Sequence, residues 1–284
     1  MIIDQKIVFT AFKAAIDAGI EIMNIYKKGF NVEHKADGSP LTLADRRANE
    51  IIINALNPFS IPIISEEKPL PDFSQRKSWE YFWLIDPLDG TKEFVNRNEE
   101  FTVNIALVHK SRPVLGIVTA PALNFGYMGI QDKGAFKIHD LQKVLNLTEK
   151  DFSNPGDYFD RLNPSVPAQN RILAASRSHI DDGNADIIRK LFGHENALKT
   201  VHAGSALKFG LLAEGKAHFY LRNDKIWEWD TAAGHALLLA AGGDLFTWPD
   251  GSELLYNKEI LKNPGFVACA SRDASKLLKA KLSL

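Results

Sequence analysis

Hydrophobic residues in the N-terminal region recur at the spacing of one face of an α-helix. The apolar positions with this spacing are Ile7, Ala11, Ala14, Ala18, Ile22 and Ile25. They predict a long amphipathic helix over residues 4–28. A second helix is predicted from Thr42 to about Leu56, with Thr42 or Ser39 as its N-cap and Pro58 beyond its end.

Short apolar runs bounded by Gly, Pro and Asn predict β-strands in the rest of this half. Residues 61–65 form one such run, and the aromatic and apolar residues 79–85 form a second that predicts a buried strand. The segments that follow alternate as in an antiparallel meander, over 101–109, 113–119, 125–131 and 134–138. Residues 154–169 are rich in Pro and Asn, which is typical of a surface linker.

Beyond this linker the pattern changes to alternating strands and helices. Strands are predicted over 171–175, 198–202, 216–221, 243–247 and 265–270, and helices over 183–193, 205–214, 230–241 and 272–282. We therefore expect a layered mixed α/β (α+β) fold in two halves, residues 1–160 and 161–284.

The composition is that of a globular protein, with 284 residues of which 45% are hydrophobic and 24% charged. The formal net charge of −1 argues against non-specific nucleic-acid binding, which needs a basic surface. A polyanionic ligand would have to be neutralised locally. Cys269 is the single cysteine, so no intramolecular disulfide can form. The chain shows neither a signal-peptide pattern nor a run of about 18 apolar residues, so we expect a cytoplasmic protein without a transmembrane segment.

Two carboxylates follow the predicted strand 79–85 within one tight turn, Asp86-Pro87-Leu88-Asp89. They repel each other unless a cation lies between them, and Mg²⁺ is a hard ion that carboxylate oxygens hold. The next residues, Gly90 and Thr91, offer backbone N–H groups at a predicted helix start, which suits an anion. Asp-Pro and Asp-Gly pairs are also ordinary turn formers, so the turn alone does not establish a metal site.

Three further acidic groups occur at comparable positions. Glu66 and Glu67 end the strand 61–65, and parallel pairing with the strand before Asp86 would place both strand ends at one sheet edge. Asp230 opens the helix 230–241, and Asp45 follows the Asp37–Thr42 segment. Each has a purely structural alternative, because paired glutamates are common on surfaces and Asp is a favoured helix cap.

Taken in chain order, Glu66-Glu67, D-P-L-D-G-T from Asp86 and W-D-T-A-A-G from Trp229 resemble the signature of the inositol monophosphatase superfamily. Its members are Mg²⁺-dependent, lithium-sensitive phosphomonoesterases, and the resemblance extends from the first helix to the last strand. It implies a sugar-phosphatase-like fold of five layers, α-β-α-β-α. Within the superfamily the chain is most similar to the bacterial 3′(2′),5′-bisphosphate nucleotidases. The stretches that carry this similarity are Lys92-Glu93-Phe94, F-T-V-N-I-A from Phe101, S-R-S-H from Ser176, G-S-A-L-K-F from Gly204 and N-P-G-F from Asn263.

This resemblance implies roles for individual residues. The ligands of two to three Mg²⁺ ions would be Glu66, Asp86, Asp89, Asp230, the backbone carbonyl of Leu88 and, near a weaker third ion, Glu67. Catalysis would use Thr91, Asp45 and Glu66 to orient and activate the attacking water. The groups that bind substrate would be Gly90, Thr91, His179, Ser205, Lys208, Arg222 and Asp230. Lys208 and Arg222 have ordinary alternatives, since a helical Lys is usually solvated and Arg is common at strand ends.

The implied activity is hydrolysis of adenosine 3′,5′-bisphosphate, or of its 5′-phosphosulfate relative, to the corresponding 5′-nucleotide and phosphate. Alternatives are an inositol-1-phosphate or fructose-1,6-bisphosphate phosphatase, or a non-catalytic module that senses nucleotide or lithium. The last is disfavoured because every implied ligand is present. Peripheral association with the inner membrane is a further implication of the resemblance. Residues 140–170 form a longer segment than in the short bacterial form. The roles implied for the nucleoside pocket therefore carry over to this chain less directly than those implied for the metal ligands.

Overall fold

The computed structural model describes residues 3–34, 40–164, 172–176, 184–193, 198–224 and 226–282. The helices are α1 (Gln5–Lys28), α2 (Leu43–Leu56), α3 (Phe73–Arg76), α4 (Thr91–Val95), α5 (Ala185–Phe192), α6 (Leu207–Ala213), α7 (Trp229–Ala240) and α8 (Arg272–Ala280). The strands are β1 (Val32–His34), β2 (Pro40–Thr42), β3 (Ile63–Ser65), β4 (Tyr81–Asp89), β5 (Thr102–His109), β6 (Arg112–Ala120), β7 (Phe125–Ile130), β8 (Gly134–Ile138), β9 (Asp160–Leu162), β10 (Ile172–Ala175), β11 (Lys199–His202), β12 (Phe219–Arg222), β13 (Asp244–Thr247) and β14 (Phe266–Cys269).

Local sequence signals set the first two helices. Asp4 caps α1 by accepting the Ile7 N–H at 2.8 Å, and Gly29 ends the helix with a φ of 90°. Thr42 caps α2, where its hydroxyl accepts the Ala44 N–H at 3.1 Å. Both predicted helices are thus confirmed, with Thr42 as the cap of the second; Ser39 lies outside the described residues.

Seven strands of the described chain form one sheet in the order β3-β4-β5-β6-β7-β8-β9. Only β3 and β4 are parallel, and the other neighbours are antiparallel, which confirms the meander. The predicted end of β4 before Asp86 is wrong, because the strand continues to Asp89. Asp86 pairs with Asn104 and Asp89 with Thr102, with an irregularity between them. Pro87, which lacks an N–H, lies in this irregular stretch, where no ladder donor is required.

The predicted linker over 154–169 is wrong in its first part. Asp160–Leu162 forms β9, which pairs antiparallel with β8 and adds an edge strand to the large sheet. Before it, the buried Phe152 packs against Phe12 of α1 with 5.1 Å between ring centroids. The described part of the longer segment, up to residue 164, therefore extends the sheet and the α1 layer.

A second sheet of five described strands has the order β11-β10-β12-β14-β13. Helices α1 and α2 cover one face of the large sheet, α6 and α7 lie between the two sheets, and α5 and α8 cover the outer face of the small sheet. This arrangement confirms the five-layer fold. The division into halves at residue 160 stays a prediction.

Helix α7 lies unusually close to the large sheet because glycines face it. A Cβ at Gly116 would come within 2.1 Å of the Ala233 carbonyl oxygen, and one at Gly129 within 2.4 Å of the Leu237 Cα. These contacts fix the position of α7, and with it the residue in its first turn, Asp230. None of the described helices is long and apolar enough to cross a membrane.

Candidate active site

Parallel pairing of β3 and β4 brings two acidic segments to one sheet edge. Ser65 lies opposite Ile85, and the Glu66 N–H donates to the Ile85 carbonyl at 3.1 Å. Asp86 is the next residue of β4 and is almost fully buried, and one of its carboxylate oxygens accepts the Leu88 N–H at 3.1 Å. The expected meeting of the two strand ends is confirmed.

Asp89 and Asp230 are both held by polar neighbours. Asp89 accepts hydrogen bonds from the Thr102 hydroxyl at 3.3 Å and from the Asn104 amide at 3.2 Å. In the first turn of α7, Asp230 accepts the Trp227 N–H at 2.9 Å. Side chains of the neighbouring strand β5 therefore orient Asp89, and the backbone just before α7 orients Asp230.

Four carboxylates at this edge repel one another. Burial, followed by the charges of Glu66, Asp89 and Asp230, raises the pKa of Asp86 well above its usual range. Burial and then the charges of Asp89 and Glu66 likewise raise the pKa of Asp230. Such mutual repulsion is relieved by a bound cation.

The donor set fits a hard divalent cation by its chemistry, because all the side-chain donors are carboxylate oxygens. Within the described ranges, no three His, Cys, Asp or Glu side chains form a ready-made metal-binding group. The carboxylates repel one another without being close enough to share an ion, because electrostatic repulsion acts over a longer distance than metal coordination. A bound ion would offset this repulsion and bring the carboxylate oxygens together.

Thr91 and Asp45 meet as expected. The Thr91 hydroxyl donates to one carboxylate oxygen of Asp45 at 3.2 Å and lies 3.3 Å from the Leu88 carbonyl. The other oxygen of Asp45 accepts both the N–H and the hydroxyl of Thr42, each at 2.7 Å. Burial raises the pKa of Asp45 to about 6, with the Thr42 hydrogen bonds opposing the shift and the charge of Glu67 adding to it. The same carboxylate thus completes the capping box of α2 with Thr42 and accepts a hydrogen bond from Thr91.

Gly90 is required where the site turns from β4 into α4. Its φ is 87°, a left-handed conformation that favours glycine, and a Cβ would lie 2.2 Å from the Ser205 Oγ. The Ser205 hydroxyl approaches the Asp89 carbonyl at 3.0 Å and the Glu100 carbonyl at 2.8 Å. Ser205 therefore joins the start of α6 to the acidic turn, and its predicted contact with substrate stays a prediction.

Lys208 is buried, so the alternative of a solvated helical lysine is wrong. Its ammonium group donates to the carbonyl of Ser205 at 2.7 Å and lies 5.2 Å from the centre of the Tyr220 ring. Burial lowers the pKa of Lys208 to about 8, while the charge of Asp89 opposes the shift. Arg222 is mostly buried as well, with its side chain 14% exposed and a guanidinium nitrogen 3.6 Å from Asp224.

A cavity of about 130 Å³ connects the acidic turn to these two cations. Its lining comprises Asp89, Gly90, Glu93, Ser176, Ser205, Lys208, Phe209, Tyr220, Arg222, Ile226 and Asp230. Six of these were predicted site residues. The other five, Glu93, Ser176, Phe209, Tyr220 and Ile226, were not predicted as site residues, although Glu93, Ser176 and Phe209 lie in the stretches that carry the family similarity. His179 lies outside the described residues.

The layered fold carries a group of carboxylates at one edge of its large sheet and at the start of α7, and the chain belongs to the inositol monophosphatase family. The sequence profile of that family matches residues 4–283. This match confirms the resemblance found in the acidic motifs.

Individual proteins are also similar to this chain over most of its length. The 3′(2′),5′-bisphosphate nucleotidase CysQ of Salmonella typhimurium is 39% identical over 257 residues, which cover 89% of this chain and 95% of the relative. The crystal structure of CysQ from Bacteroides thetaiotaomicron superposes with a TM-score of 0.81 at 39% identity, covering 94% of this chain and 98% of that one. An IMPase of Thermotoga maritima, 23% identical with a TM-score of 0.69 and 96% of each chain covered, shares the fold.

Proposed function

We propose that the protein is a 3′(2′),5′-bisphosphate nucleotidase that hydrolyses adenosine 3′,5′-bisphosphate to AMP and phosphate with Mg²⁺. The observation that carries the proposal is a cavity whose lining combines the carboxylates Asp89 and Asp230 with the cations Lys208 and Arg222. Similarity to the CysQ relatives over most of the chain supports the same activity.

A lining that combines carboxylates with two cations suits a ligand with two phosphates. At neutral pH such a nucleotide carries about four negative charges, because each phosphate monoester carries about 1.5 to 2. Bound Mg²⁺ would polarise the scissile phosphate and offset the charge of that phosphate. The ion would be held by Glu66, Asp86, Asp89 and Asp230. The second phosphate needs cations of its own, which Lys208 and Arg222 supply.

Thr91 and Asp45 provide a path for the proton of the attacking water. The Thr91 hydroxyl donates to Asp45, so the lone pairs of its oxygen can accept from a water beside the acidic turn. The pKa of Asp45, raised to about 6, lies close to neutral pH, which suits a general base. The water oxygen would bond to phosphorus as the bond from phosphorus to the ribose 3′-oxygen breaks, and the released proton would pass to that oxygen.

We further propose that Gly90 and Thr91 amides bind the scissile phosphate and that the enzyme acts in the cytoplasm, where it would clear the by-product of sulfate activation. The 5′-phosphosulfate analogue would be a second substrate, because its 5′ group is also anionic.

Phosphate release from a substrate panel tests the proposal. The panel comprises adenosine 3′,5′-bisphosphate, 3′-AMP, inositol 1-phosphate and fructose 1,6-bisphosphate, each with Mg²⁺ or with excess chelator. We expect the highest kcat/KM for the bisphosphate nucleotide and no turnover in chelator. Full turnover in chelator, or a preference for either sugar phosphate, would contradict the proposal.

A further inference from the structure

A second cavity, about 440 Å³ in volume, lies at the other end of α7 from Asp230. Ala236, Leu239 and Ala240 of the last turns of α7 form one wall, about 9 to 15 Å along the helix axis from Asp230. The start of β6 and the turn between β7 and β8 form the opposite side. This cavity shares no lining residue with the active-site cavity.

Four cationic side chains surround this space, which we call the basic cavity: Arg112, Lys133, Arg161 and Arg272. Asp132 is the one carboxylate residue among its lining residues. Glu253 balances Arg112, with bonds of 2.6 Å and 2.5 Å between guanidinium nitrogens and carboxylate oxygens. Neither Lys133 nor Arg272 forms an ion pair with any residue that the structure describes. The cavity thus keeps an excess of positive charge.

One of the cations, Arg161, is held in place by its neighbours. The Arg161 guanidinium donates to the Lys133 carbonyl and lies 5.4 Å from the centre of the Phe136 ring. Gly134, with a φ of 109°, makes room for it, since a Cβ there would come within 2.8 Å of an Arg161 nitrogen. Guanidinium groups held in this way lose less conformational entropy when they bind an anion.

The walls between the cations are apolar. Pro113, Val114 and Ala236 are buried in the lining, and Leu239 is partly buried. A simple inorganic anion would leave these apolar surfaces uncovered. The cavity volume lies within the range of small-molecule sites, roughly 300 to 1,000 Å³, and is more enclosed than a flat protein-docking surface.

We propose that the basic cavity is a second binding site that takes an organic phosphate with an apolar or aromatic portion. The phosphate would bind Lys133, Arg161 and Arg272, and the apolar portion would cover Val114 and Leu239. Arg forms bidentate bonds with phosphate oxygens and Lys supplies a point charge, so the set matches a terminal phosphate group.

Titration with 4-bromophenylphosphonate tests this proposal, because its carbon–phosphorus bond resists a phosphatase. Calorimetry is carried out in excess chelator, where the active-site carboxylates repel the probe. We expect a loss of at least about tenfold in the affinity for the probe in the double variant Lys133→Ala/Arg272→Ala, and the same loss when Arg222→Ala, which removes a cation of the active-site cavity, is present in both proteins. The control variant Lys143→Ala/Arg189→Ala, which removes two exposed cations elsewhere, should bind as the wild type does.

Inorganic phosphate and methylphosphonate complete the experiment. Both should bind at least about tenfold more weakly than the aromatic probe, because they cannot cover the apolar walls. Crystals soaked with the probe should show the anomalous bromine signal between β6 and α7. If the double variant melts below the wild type, Lys133→Gln/Arg272→Gln replaces it. Absence of binding, equal loss in the control variant, equal affinity for inorganic phosphate, or bromine located elsewhere would each overturn the proposal.

Discussion

Asp86 is the most buried of the four clustered carboxylates, and burial together with three neighbouring charges raises its pKa. An amide at this position would fill the same space without the charge. We expect Asp86→Asn to lower kcat by about a thousandfold or more, because one proposed ligand of the metal is lost. Its thermal midpoint in chelator should equal or exceed that of the wild type, since repulsion is relieved. A variant that unfolds, or one with near-normal kcat, would contradict this role.

Gly90 offers a second test at the scale of single residues. Gly90→Ala should abolish most activity, because the new Cβ meets the Ser205 Oγ and the backbone φ of 87° disfavours alanine. The double variant Gly90→Ala/Ser205→Gly removes the clash but not the backbone strain. We expect it to recover part of the lost kcat/KM in phosphate-release assays. Full activity of Gly90→Ala alone would show that the turn has more freedom than the structure indicates.

Helix α7 carries a buried histidine that links the stability of this element to pH. His235 Nδ1 lies 3.0 Å from the Tyr256 hydroxyl, and burial lowers the pKa of His235 from 6.5 to about 4. The unfolded chain therefore takes up a proton below pH 6.5, whereas the folded protein does so only near pH 4. The free energy of unfolding should fall between these values as the pH falls, by on the order of 3 kcal/mol for this group.

Denaturant titrations at several pH values measure this effect. His235→Gln, which does not titrate, should remove the histidine part of the slope between pH 6.5 and 4. Identical slopes for wild type and His235→Gln would contradict the assignment.

The elements also show how far sequence patterns reach. Periodicity and caps predicted α1, α2 and the meander, because these depend on local spacing and on residues such as Asp4 and Thr42. The continuation of β4 through Asp86 and Asp89 was missed, since its pairing with Asn104 and Thr102 is set by a distant strand. Edge strand β9 was missed because its composition is that of a loop, and only its pairing with β8 makes it a strand.

At the scale of the whole molecule, the proposed acidic ligands come from one edge of the large sheet and from helix α7. Motif order predicted that they would meet, whereas the burial of Lys208 depends on Tyr220 and the small sheet and could not be inferred from α6 alone. A cation that binds only the assembled site stabilises the fold by mass action. We expect millimolar Mg²⁺ to raise the thermal midpoint of the wild type and to leave that of Asp86→Asn nearly unchanged. Equal shifts in both proteins would contradict metal binding at the acidic turn.

The central claim is that Lys208 and Arg222 in the active-site cavity recognise a second phosphate. It is tested most directly by kcat/KM for adenosine 3′,5′-bisphosphate and for 3′-AMP in wild type and Arg222→Ala. Arg222 is the better choice than Lys208, whose removal would also leave the Ser205 carbonyl without its donor. The control Arg189→Ala removes an exposed arginine from α5.

A charge-assisted contact contributes about 1.5 to 3 kcal/mol, so Arg222→Ala should lower kcat/KM for the bisphosphate by roughly ten- to a hundredfold. The change should appear mainly in KM, and 3′-AMP, which lacks the second phosphate, should lose less than about threefold. An equal loss for both substrates, or no loss for either, would contradict recognition of the second phosphate by Arg222.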